Sequence, residues 1–370
     1  MFRLAACIAV LLAGAHGQNL PDTSHLRHGI NISGWFAQVY DSRGYTKEHF
    51  QTFITAQDIA LIKAMGFDHV RLSVNPQPMF RAGQADQIPP EYLSYLDAAV
   101  KMIHDQRLAV ILDVHPDSDF KAKLGDDAFV EQFADFWRAL AGHYADSDPR
   151  EMYFEILNEP EMRDRFRWAG IQAKLAAVIR QAAPKQTIIA SGASWSSDDE
   201  LLFLEPVRVS NVIYNFHFYD PAVFTHQGAT WSVNYWHEVQ HLAYPSNRES
   251  AEKVAAAVPD EVNRLYVLRY GMENWDRERI EMEISQVADW AKRRGVAVMC
   301  DEFGVYRKDS DPKDRATWLT DVRTSLEKHN MGWTMWDYNG GFGVVNENHS
   351  GATPDQLTLD ALGLATSTRP

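Results

Sequence analysis

Eight short apolar segments alternate along the chain with stretches of helical periodicity. A buried strand followed by a helix is the repeating unit of parallel α/β folds, and eight such units close into a (β/α)8 barrel, the TIM barrel. We therefore predict an α/β fold of this type. The predicted strands cover residues 29–36, 67–73, 108–114, 153–160, 187–191, 211–217, 296–301 and 331–336. The predicted helices cover residues 55–65, 91–106, 128–144, 171–183, 280–294 and 317–328.

A doubly wound open sheet is the alternative arrangement of the same elements. Its fingerprint is a G-x-G-x-x-G turn after the first strand, which this chain lacks. No Gly-, Ser- or Pro-rich linker divides the sequence, so we expect residues 18–370 to form one catalytic domain. Residues 218–275 are too long for an ordinary loop. We predict that they form an insertion after the sixth strand, on the catalytic face, with one helix near 251–268.

The first residues have the pattern of a signal peptide. Arg3 precedes an apolar run over residues 4–13, and small residues follow at positions 15 and 17. We expect residues 1–17 to be removed and the mature protein to be secreted or periplasmic. No later segment approaches the roughly 18 apolar residues that a membrane span needs, so no membrane association is expected after cleavage. The mature chain would retain one cysteine, Cys300, which cannot form an internal disulfide.

The charge of the chain restricts its partners. The formal net charge is −14 at pH 7. A strongly acidic protein is repelled by nucleic acids and by anionic membranes, so neither is expected as a partner.

Polar and aromatic residues stand where the predicted strands end. In a parallel barrel all carboxyl ends lie on one face, where catalytic groups are found. Pro160 interrupts the fourth strand, so Asn158 and Glu159 project from its end. Glu302 stands at the end of the seventh strand. Two such carboxylates suit hydrolysis of an acetal, where one group protonates the leaving oxygen and the other handles the oxocarbenium-like centre. The full set is Arg71, His115, Asn158, Glu159, His217, Tyr219, Glu302 and Trp336.

These eight residues, in this order and on these strands, resemble the active-site positions of glycoside hydrolase family 5. The resemblance covers essentially the whole mature chain. It implies Glu159 as general acid/base and Glu302 as nucleophile of a retaining double displacement. We expect Arg71 and Tyr219 to favour the ionised form of Glu302 by charge and hydrogen bonding. The charge of Glu302 should in turn raise the pKa of Glu159, so that Glu159 holds a proton.

The resemblance implies substrate-binding roles for the other positions. Asn158 is expected to bond the sugar 2-OH, and Trp336 to form a platform under the sugar. His115 and His217 are expected to bind hydroxyl groups and to orient the carboxyl groups. Arg71 has a second interpretation, as a buried ion-pair partner of a carboxylate in the barrel.

Further aromatic residues are candidates for outer sugar-binding subsites, although core packing accounts for each of them equally well. They are Trp35, Tyr40, Trp195, Trp231 and Trp236. Of these, Trp231 and Trp35 are assigned to the substrate-binding set. Trp231 is favoured because it lies in an aromatic-rich stretch directly after the sixth strand.

The sequence therefore predicts a secreted, monomeric, retaining endo-β-1,4-glucanase that acts on β-glucan polysaccharides or oligosaccharides without a metal or other cofactor. The alternatives on this fold are a mannanase, a mixed-linkage glucanase, a xyloglucanase and a β-1,3-glucanase. A metal-dependent barrel hydrolase with His115 and His217 as ligands is disfavoured because the first strand lacks a His-x-His pair. A barrel that only binds glycans is disfavoured because both glutamates are present.

Overall fold

Eight parallel strands close into a barrel in which each strand pairs with the next along the chain and the last pairs with the first. The computed structural model describes residues 20–231, 236–346 and 351–364. The predicted signal peptide, residues 1–17, lies outside the described residues. The strands are β1 (His28–Phe36), β2 (His69–Val74), β3 (Ala109–Val114), β4 (Met152–Glu155), β5 (Thr187–Ser191), β6 (Val212–Phe218), β7 (Ala297–Phe303) and β8 (Gly332–Met335). The predicted (β/α)8 barrel is confirmed.

Helices surround the barrel and connect its strands. In chain order they are α1 (Lys47–Thr52), α2 (Ala56–Ala64), α3 (Pro90–Asp105), α4 (Ser118–Ala122), α5 (Asp127–His143), α6 (Arg165–Ala182), α7 (Ala193–Ser196), α8 (Asp198–Leu202), α9 (Ala222–Thr225), α10 (Arg248–Ala255), α11 (Glu261–Met272), α12 (Arg277–Arg294), α13 (Pro312–Lys328) and α14 (Gln356–Ala361). Within the described part of the chain, no helix is long and apolar enough to cross a membrane.

Local sequence signals set the ends of these helices. α2 begins at a capping box: the Thr55 hydroxyl accepts from the backbone N–H of Asp58, whose carboxylate accepts from the backbone N–H of Thr55. α12 ends at Gly295, which has a φ of 66°. Glycine adopts this left-handed conformation without steric cost, so the helix stops there. Both ends agree with the sequence prediction.

The barrel interior has an apolar layer and, above it, a polar layer. The apolar layer contains Ile111, Tyr153, Ile189, Ile213 and Met299. Because side chains alternate between the two faces of a strand, the residue two positions further along each strand also points inward. Those residues are Asp113, Glu155, Ser191, Asn215 and Asp301, all of them buried. Together with Arg71 of β2 they form what we call the polar layer, next to the carboxyl ends of the strands.

A register shift in β7 brings two consecutive acidic residues into the interior. Phe216 of β6 pairs with Cys300, and the next residue, His217, pairs with Glu302. Asp301 is therefore an extra residue in β7, and such a bulge breaks the alternation of side chains. Asp301 belongs to the polar layer, while Glu302 faces inward one level above it.

The described part of the segment between β6 and α12 contains three α-helices, α9 to α11, and a 3-10 helix at Trp236–Glu238. The prediction of a single helix near 251–268 was wrong, because α10 and α11 are separate. Pro259 lies between them, and a proline inside a helix removes a backbone donor and clashes with the preceding turn. That this segment is an insertion stays a prediction.

Candidate active site

The carboxyl face of the barrel brings the eight predicted strand-end residues into one connected group. Arg71 lies in β2, His217 in β6 and Glu302 in β7, while His115, Asn158, Glu159, Tyr219 and Trp336 follow β3, β4, β4, β6 and β8. Seven of them are joined by the polar contacts described below. Trp336 joins the group through His115, since their rings stack with centroids 5.8 Å apart.

The two glutamates share one histidine. Nδ1 of His217 lies 3.1 Å from Oε1 of Glu159 and 3.4 Å from Oε2 of Glu302. An oxygen of Glu159 and an oxygen of Glu302 lie within 4.8 Å of each other. Glu159 has a φ of 45°, in the left-handed region that residues with a side chain seldom adopt. The chain therefore turns sharply after β4, at the point where the Glu159 carboxylate faces that of Glu302.

Glu302 is surrounded by donors. Nη1 of Arg71 donates to Oε1 of Glu302 at 2.6 Å, and the Tyr219 hydroxyl donates to Oε2 at 3.1 Å. Burial raises the pKa of Tyr219 well above its ordinary value, and the charge of Glu302 raises it further. Tyr219 therefore keeps its proton. Both carboxylate oxygens of Glu302 are therefore held in place by hydrogen-bond donors.

Glu159 has a pKa shift opposite to the one expected from the sequence. Burial raises the pKa of Glu159, but the hydrogen bond from His217 and the charges of His217 and Lys121 outweigh burial and lower the pKa to about 2. Burial lowers the pKa of His217, but Glu302 and the hydrogen bonds to Asp301 and Glu159 raise it well above its ordinary value. The shared proton therefore sits on His217. The expected rise for Glu159 was wrong because the hydrogen bond and the charge of His217 outweigh burial.

Asn158 is oriented from both sides. Its Oδ1 accepts from Nη2 of Arg71 at 2.9 Å, and its Nδ2 donates to Nε2 of His115 at 3.1 Å. Nδ1 of His115 faces Oδ2 of Asp113 at 2.8 Å, so it carries the proton that the carboxylate accepts. His115 therefore fixes the Asn158 amide and contacts neither glutamate. His217, in contrast, bonds Glu159, as expected from the sequence.

The sequence analysis missed the buried residues that hold Arg71 in place. Asn31, Asp113, Glu155 and Asp301 contact Arg71 directly. Asn215 supports two of them, since its amide donates to Glu155 and to Asp301. The signal that could have identified them is a polar residue at an inward position of an otherwise apolar strand, since such residues need buried partners. Arg71 is a buried ion-pair partner of barrel carboxylates and also contacts Glu302, so both interpretations of this residue hold.

Two adjoining cavities form a groove across the carboxyl face. One has a volume of about 720 Å³ and is lined by residues that include Trp231 and Trp336. The other has a volume of about 480 Å³ and is lined by residues that include Asn158 and Glu159. Tyr40 lines both cavities and is exposed. Glu159 therefore opens onto a groove that can hold more than one sugar unit.

Trp231 lies in this groove with its ring available. It is 58% exposed and lines the larger cavity. Its ring packs edge-on against Tyr306, with centroids 4.7 Å apart. Trp195, in the segment after β5, is also exposed. Flat aromatic faces of this kind suit contact with the apolar faces of sugars.

Trp35 does not lie in the groove, and its assignment to the substrate-binding set was wrong. The residue is only 2% exposed, and its indole N–H donates to the backbone oxygen of Phe50 at 2.8 Å. It packs between the barrel and α1 as part of the core. Trp236, another candidate, is buried in the same core.

Two groups of side chains have the spacing of metal ligands. They are Glu155, His217 and Asp301 in one group and Glu159, His217 and Glu302 in the other, with potential ligand atoms within 4.8 Å in each. The guanidinium of Arg71 contacts a carboxylate of both groups, at 2.6 Å for Glu155 and 2.6 Å for Glu302. A divalent cation there would face this fixed positive charge, so the electrostatics disfavour metal binding.

Comparisons with known proteins agree with this geometry. The family model described as "Cellulase (glycosyl hydrolase family 5)" matches residues 33–341. Endoglucanase C of Acetivibrio thermocellus is 28% identical over 339 residues, which cover 90% of this chain and 96% of that protein. The crystal structure of endoglucanase Cel5A from the hyperthermophilic Thermotoga maritima has a TM-score of 0.74 at 26% identity and covers 91% of this chain and 97% of its own.

Cel5A has also been solved in complex with a mannotriose substrate. That structure has a TM-score of 0.75 at 25% identity and covers 91% of this chain and 97% of its own. The family match spans most of the chain and includes all eight strand-end residues. The chain therefore belongs to glycosyl hydrolase family 5 and is a glycoside hydrolase.

Proposed function

We propose that the protein is a retaining endo-β-1,4-glucanase with Glu302 as nucleophile and Glu159 as general acid/base. The observation that carries this proposal is the separation of the carboxylates, whose oxygens lie within 4.8 Å. Retaining glycosidases place their carboxyl groups about 5–5.5 Å apart, whereas inverting enzymes leave about 6.5–9.5 Å for a water molecule. The short separation supports direct attack by Glu302.

In the first step Glu302 attacks the anomeric carbon and the glycosidic C–O bond breaks. The leaving oxygen takes a proton from Glu159. In the ligand-free protein this proton is on His217, whose Nδ1 lies 3.1 Å from Oε1 of Glu159. Transfer along that hydrogen bond leaves a neutral imidazole and a protonated Glu159. Sugar binding favours this transfer, because it removes water from the two charges.

In the second step water attacks the glycosyl ester. Glu159 accepts a proton from the water as the ester bond to Glu302 breaks, which restores the carboxylate. Arg71 and Tyr219 stabilise the departing carboxylate through the contacts that they make in the free protein. The Asn158 amide, held by Arg71 and His115, bonds the sugar 2-OH, and Trp336 lies against the sugar ring at the cleavage point.

The choice of β-1,4-glucan rests on the relatives. Proteins similar to this chain over nearly its whole length are named endoglucanases. The two adjoining cavities support binding of an internal segment of a polymer. A β-mannanase activity is the second candidate, supported by the mannotriose complex of a structure that resembles this one.

A panel of neutral polysaccharides tests this proposal. We expect hydroxyethyl-cellulose to be hydrolysed with a rapid fall in viscosity, as internal cleavage requires. Barley glucan, mannan, xyloglucan and laminarin, assayed side by side, identify the preferred backbone. Glu302→Gln should abolish activity on every member, and EDTA should leave wild-type activity unchanged. Full activity of Glu302→Gln would refute the assignment of the nucleophile, and loss of activity in EDTA that a divalent ion restores would revive the metal-dependent alternative.

We also propose that the protein is exported and acts as a monomer. The apolar run over residues 4–13 with Arg3 before it supports export. Expression of the full chain in a bacterium with a Sec pathway should give an extracytoplasmic product whose first residue is Gln18. Light scattering on that product should give the mass of one chain. A product that retains residues 1–17 in the cytoplasm would contradict the export proposal.

A further inference from the structure

Arg71 is the central residue of the polar layer, and all of its hydrogen-bond donors are used. A guanidinium has five N–H donors in a fixed planar arrangement. In Arg71 they reach Glu155 twice, at 2.6 and 2.7 Å, Asn31 at 2.9 Å, Glu302 at 2.6 Å and Asn158 at 2.9 Å. Because the group is rigid, the position of any one contact fixes the others. The bonds to Glu302 and Asn158 therefore depend on how the rest of the guanidinium is held.

Glu155 provides the strongest of these constraints. Its two oxygens accept from Nε and Nη2 of Arg71, the paired geometry that carboxylates and guanidinium groups form in their most specific contacts. Both residues are buried. Asn31, on the opposite side, offers a single neutral oxygen. Glu155 therefore sets both the plane and the rotation of the guanidinium.

Several charged and polar groups face Glu155 and Arg71 from the surrounding strands. They are Asn31 on β1, Asp113 on β3, Asn158 after β4, Asn215 and His217 on β6, and Asp301 and Glu302 on β7. Burial and the charges of Asp113 and Asp301 raise the pKa of Glu155. Both of its oxygens nevertheless accept N–H donors, two from Arg71 and one from Asn215 at 3.1 Å. Three donors to one carboxyl group favour the carboxylate.

We propose that Glu155 is a positioning residue for glycosyl transfer, which acts through Arg71 to align the Glu302 carboxylate and the Asn158 amide in a single rigid arrangement. The inference rests on the proposed function, because it takes Glu302 as the nucleophile. Glu155 is buried, and both of its carboxyl oxygens accept from Arg71, with a further bond from Asn215. Its effect on the reaction therefore passes through these side chains.

Glu155→Gln tests the alignment. A glutamine amide can accept only one of the two Arg71 bonds, and its NH2 group points a donor at the guanidinium. With 2,4-dinitrophenyl β-cellobioside as substrate, we expect kcat to fall about 100-fold, the loss expected from a misplacement of about 1 Å, with little change in KM. An unchanged kcat, or a loss confined to KM, would overturn the proposal, because the misaligned groups are those of the reaction.

A double-mutant cycle tests whether Glu155 acts through Arg71. Lysine at position 71 cannot make the paired contact, so Glu155 should lose its influence in that background. We expect the double variant Arg71→Lys/Glu155→Gln to have a kcat within about threefold of Arg71→Lys alone. If the kcat losses of the two single variants multiplied in the double variant, Glu155 would act independently of Arg71, and the proposal would be overturned.

Controls separate this result from instability and from failure of the proposed function. Asp321→Asn removes another buried carboxylate, which accepts from the Tyr244 hydroxyl away from the site. It should lower the melting temperature and leave kcat and KM unchanged. If Glu155→Gln does not fold, Glu155→Asp keeps the carboxyl group but shortens the side chain, and we expect a loss in kcat with little change in KM. Full activity of Glu302→Gln would refute the proposed nucleophile, whereas an inactive Glu302→Gln with a multiplicative cycle would refute only the role of Glu155.

Discussion

The imidazole of His217 stands between the two glutamates and determines where their shared proton resides. Its Nδ1 reaches both carboxylates, and Nε2 lies 3.3 Å from Oδ1 of Asp301. Three carboxylates around one ring stabilise the imidazolium, which in turn lowers the pKa of Glu159 to about 2. In the proposed mechanism His217 is therefore the store from which the general acid takes its proton.

Replacing His217 by asparagine should affect the proton-dependent step selectively. Asparagine can still donate to Glu159, but it carries no transferable proton. We expect kcat on hydroxyethyl-cellulose, whose leaving group must be protonated, to fall about 100-fold or more, since positioned proton transfer contributes roughly 10²–10⁴-fold. Hydrolysis of 2,4-dinitrophenyl β-cellobioside, whose leaving group departs as an anion, should fall much less. An equal loss on both substrates would contradict the role of His217 as the proton store, and Glu302→Gln serves as the control that loses both.

β1 and β8 meet at Asp337, an acidic residue that the sequence analysis did not identify. Asp337 follows β8 and lines the larger cavity, and its Oδ2 accepts from the Ser33 hydroxyl of β1 at 2.5 Å. Burial raises the pKa of Asp337 to about 7, the charge of Glu302 adds to this rise, and the bond from Ser33 opposes it. The contact between these two strands therefore changes its charge near neutral pH.

Asp337→Asn should make the stability of the protein less dependent on pH between pH 4 and pH 8. The folded pKa of about 7 is above the unfolded value, so the stabilising contribution is complete below about pH 4 and is lost as the pH rises through 7. Asparagine cannot ionise. Between pH 4 and pH 8, the free energy of unfolding of the variant relative to wild type should therefore rise by on the order of 4 kcal/mol. Urea denaturation at the two pH values measures this, and a pH-independent difference would contradict it.

The loop after β8 has a second feature that bears on the groove. A Cβ at Gly341 would lie 2.1 Å from Cε2 of Tyr306. Gly341→Ala should therefore displace Tyr306 and, with it, Trp231, whose ring packs against Tyr306. We expect KM for hydroxyethyl-cellulose to rise about tenfold with little change in kcat, because the reacting groups do not move.

Gly142→Ala provides the matched control. Gly142 lies in α5, and a Cβ there meets no atom within 4 Å. Because alanine favours helix over glycine by about 1 kcal/mol, this variant should gain stability and keep its KM. An unchanged KM in Gly341→Ala would show that the Tyr306–Trp231 pair does not contact the polymer.

The order of elements was predictable from the sequence because each strand is an apolar run followed by a polar or aromatic residue. The same signal identified the eight strand-end residues. Trp35 was not predictable, because an inward and an outward position of β1 look alike when both faces of the strand are buried. The pKa of Glu159 depends on a distance to His217 across the barrel, which no local pattern contains. Pro259, in contrast, would have predicted the break between α10 and α11.

At the scale of the whole molecule, the net charge affects the choice of assay substrate. The chain has a formal net charge of −14 at pH 7, and the groove presents carboxylates to the substrate. An anionic polymer such as carboxymethyl-cellulose is repelled at long range, and salt screens this repulsion over a Debye length of about 10 Å at 0.1 M ionic strength.

Added salt should therefore change KM differently for two soluble substrates that have the same backbone. Raising NaCl from 20 to 300 mM should lower KM for carboxymethyl-cellulose about two- to fivefold, because the repulsion is screened. KM for the neutral hydroxyethyl-cellulose should not change. Initial rates over a range of polymer concentrations measure both, and an equal response of the two substrates would indicate an effect of salt on the enzyme itself.

The bulge in β7 has a consequence for how the site can be redesigned. In a regular strand every second side chain faces the barrel axis, so a nucleophile and the residue that supports it would stand two positions apart. Because Cys300 pairs with Phe216 and Glu302 with His217, these two functions fall to adjacent residues. Deleting Asp301 would restore the regular alternation of side chains and leave Glu302 facing the axis. The nucleophile would keep its position while the acidic residue beneath it was removed. The layer of side chains below the reaction centre can therefore be changed without moving the nucleophile.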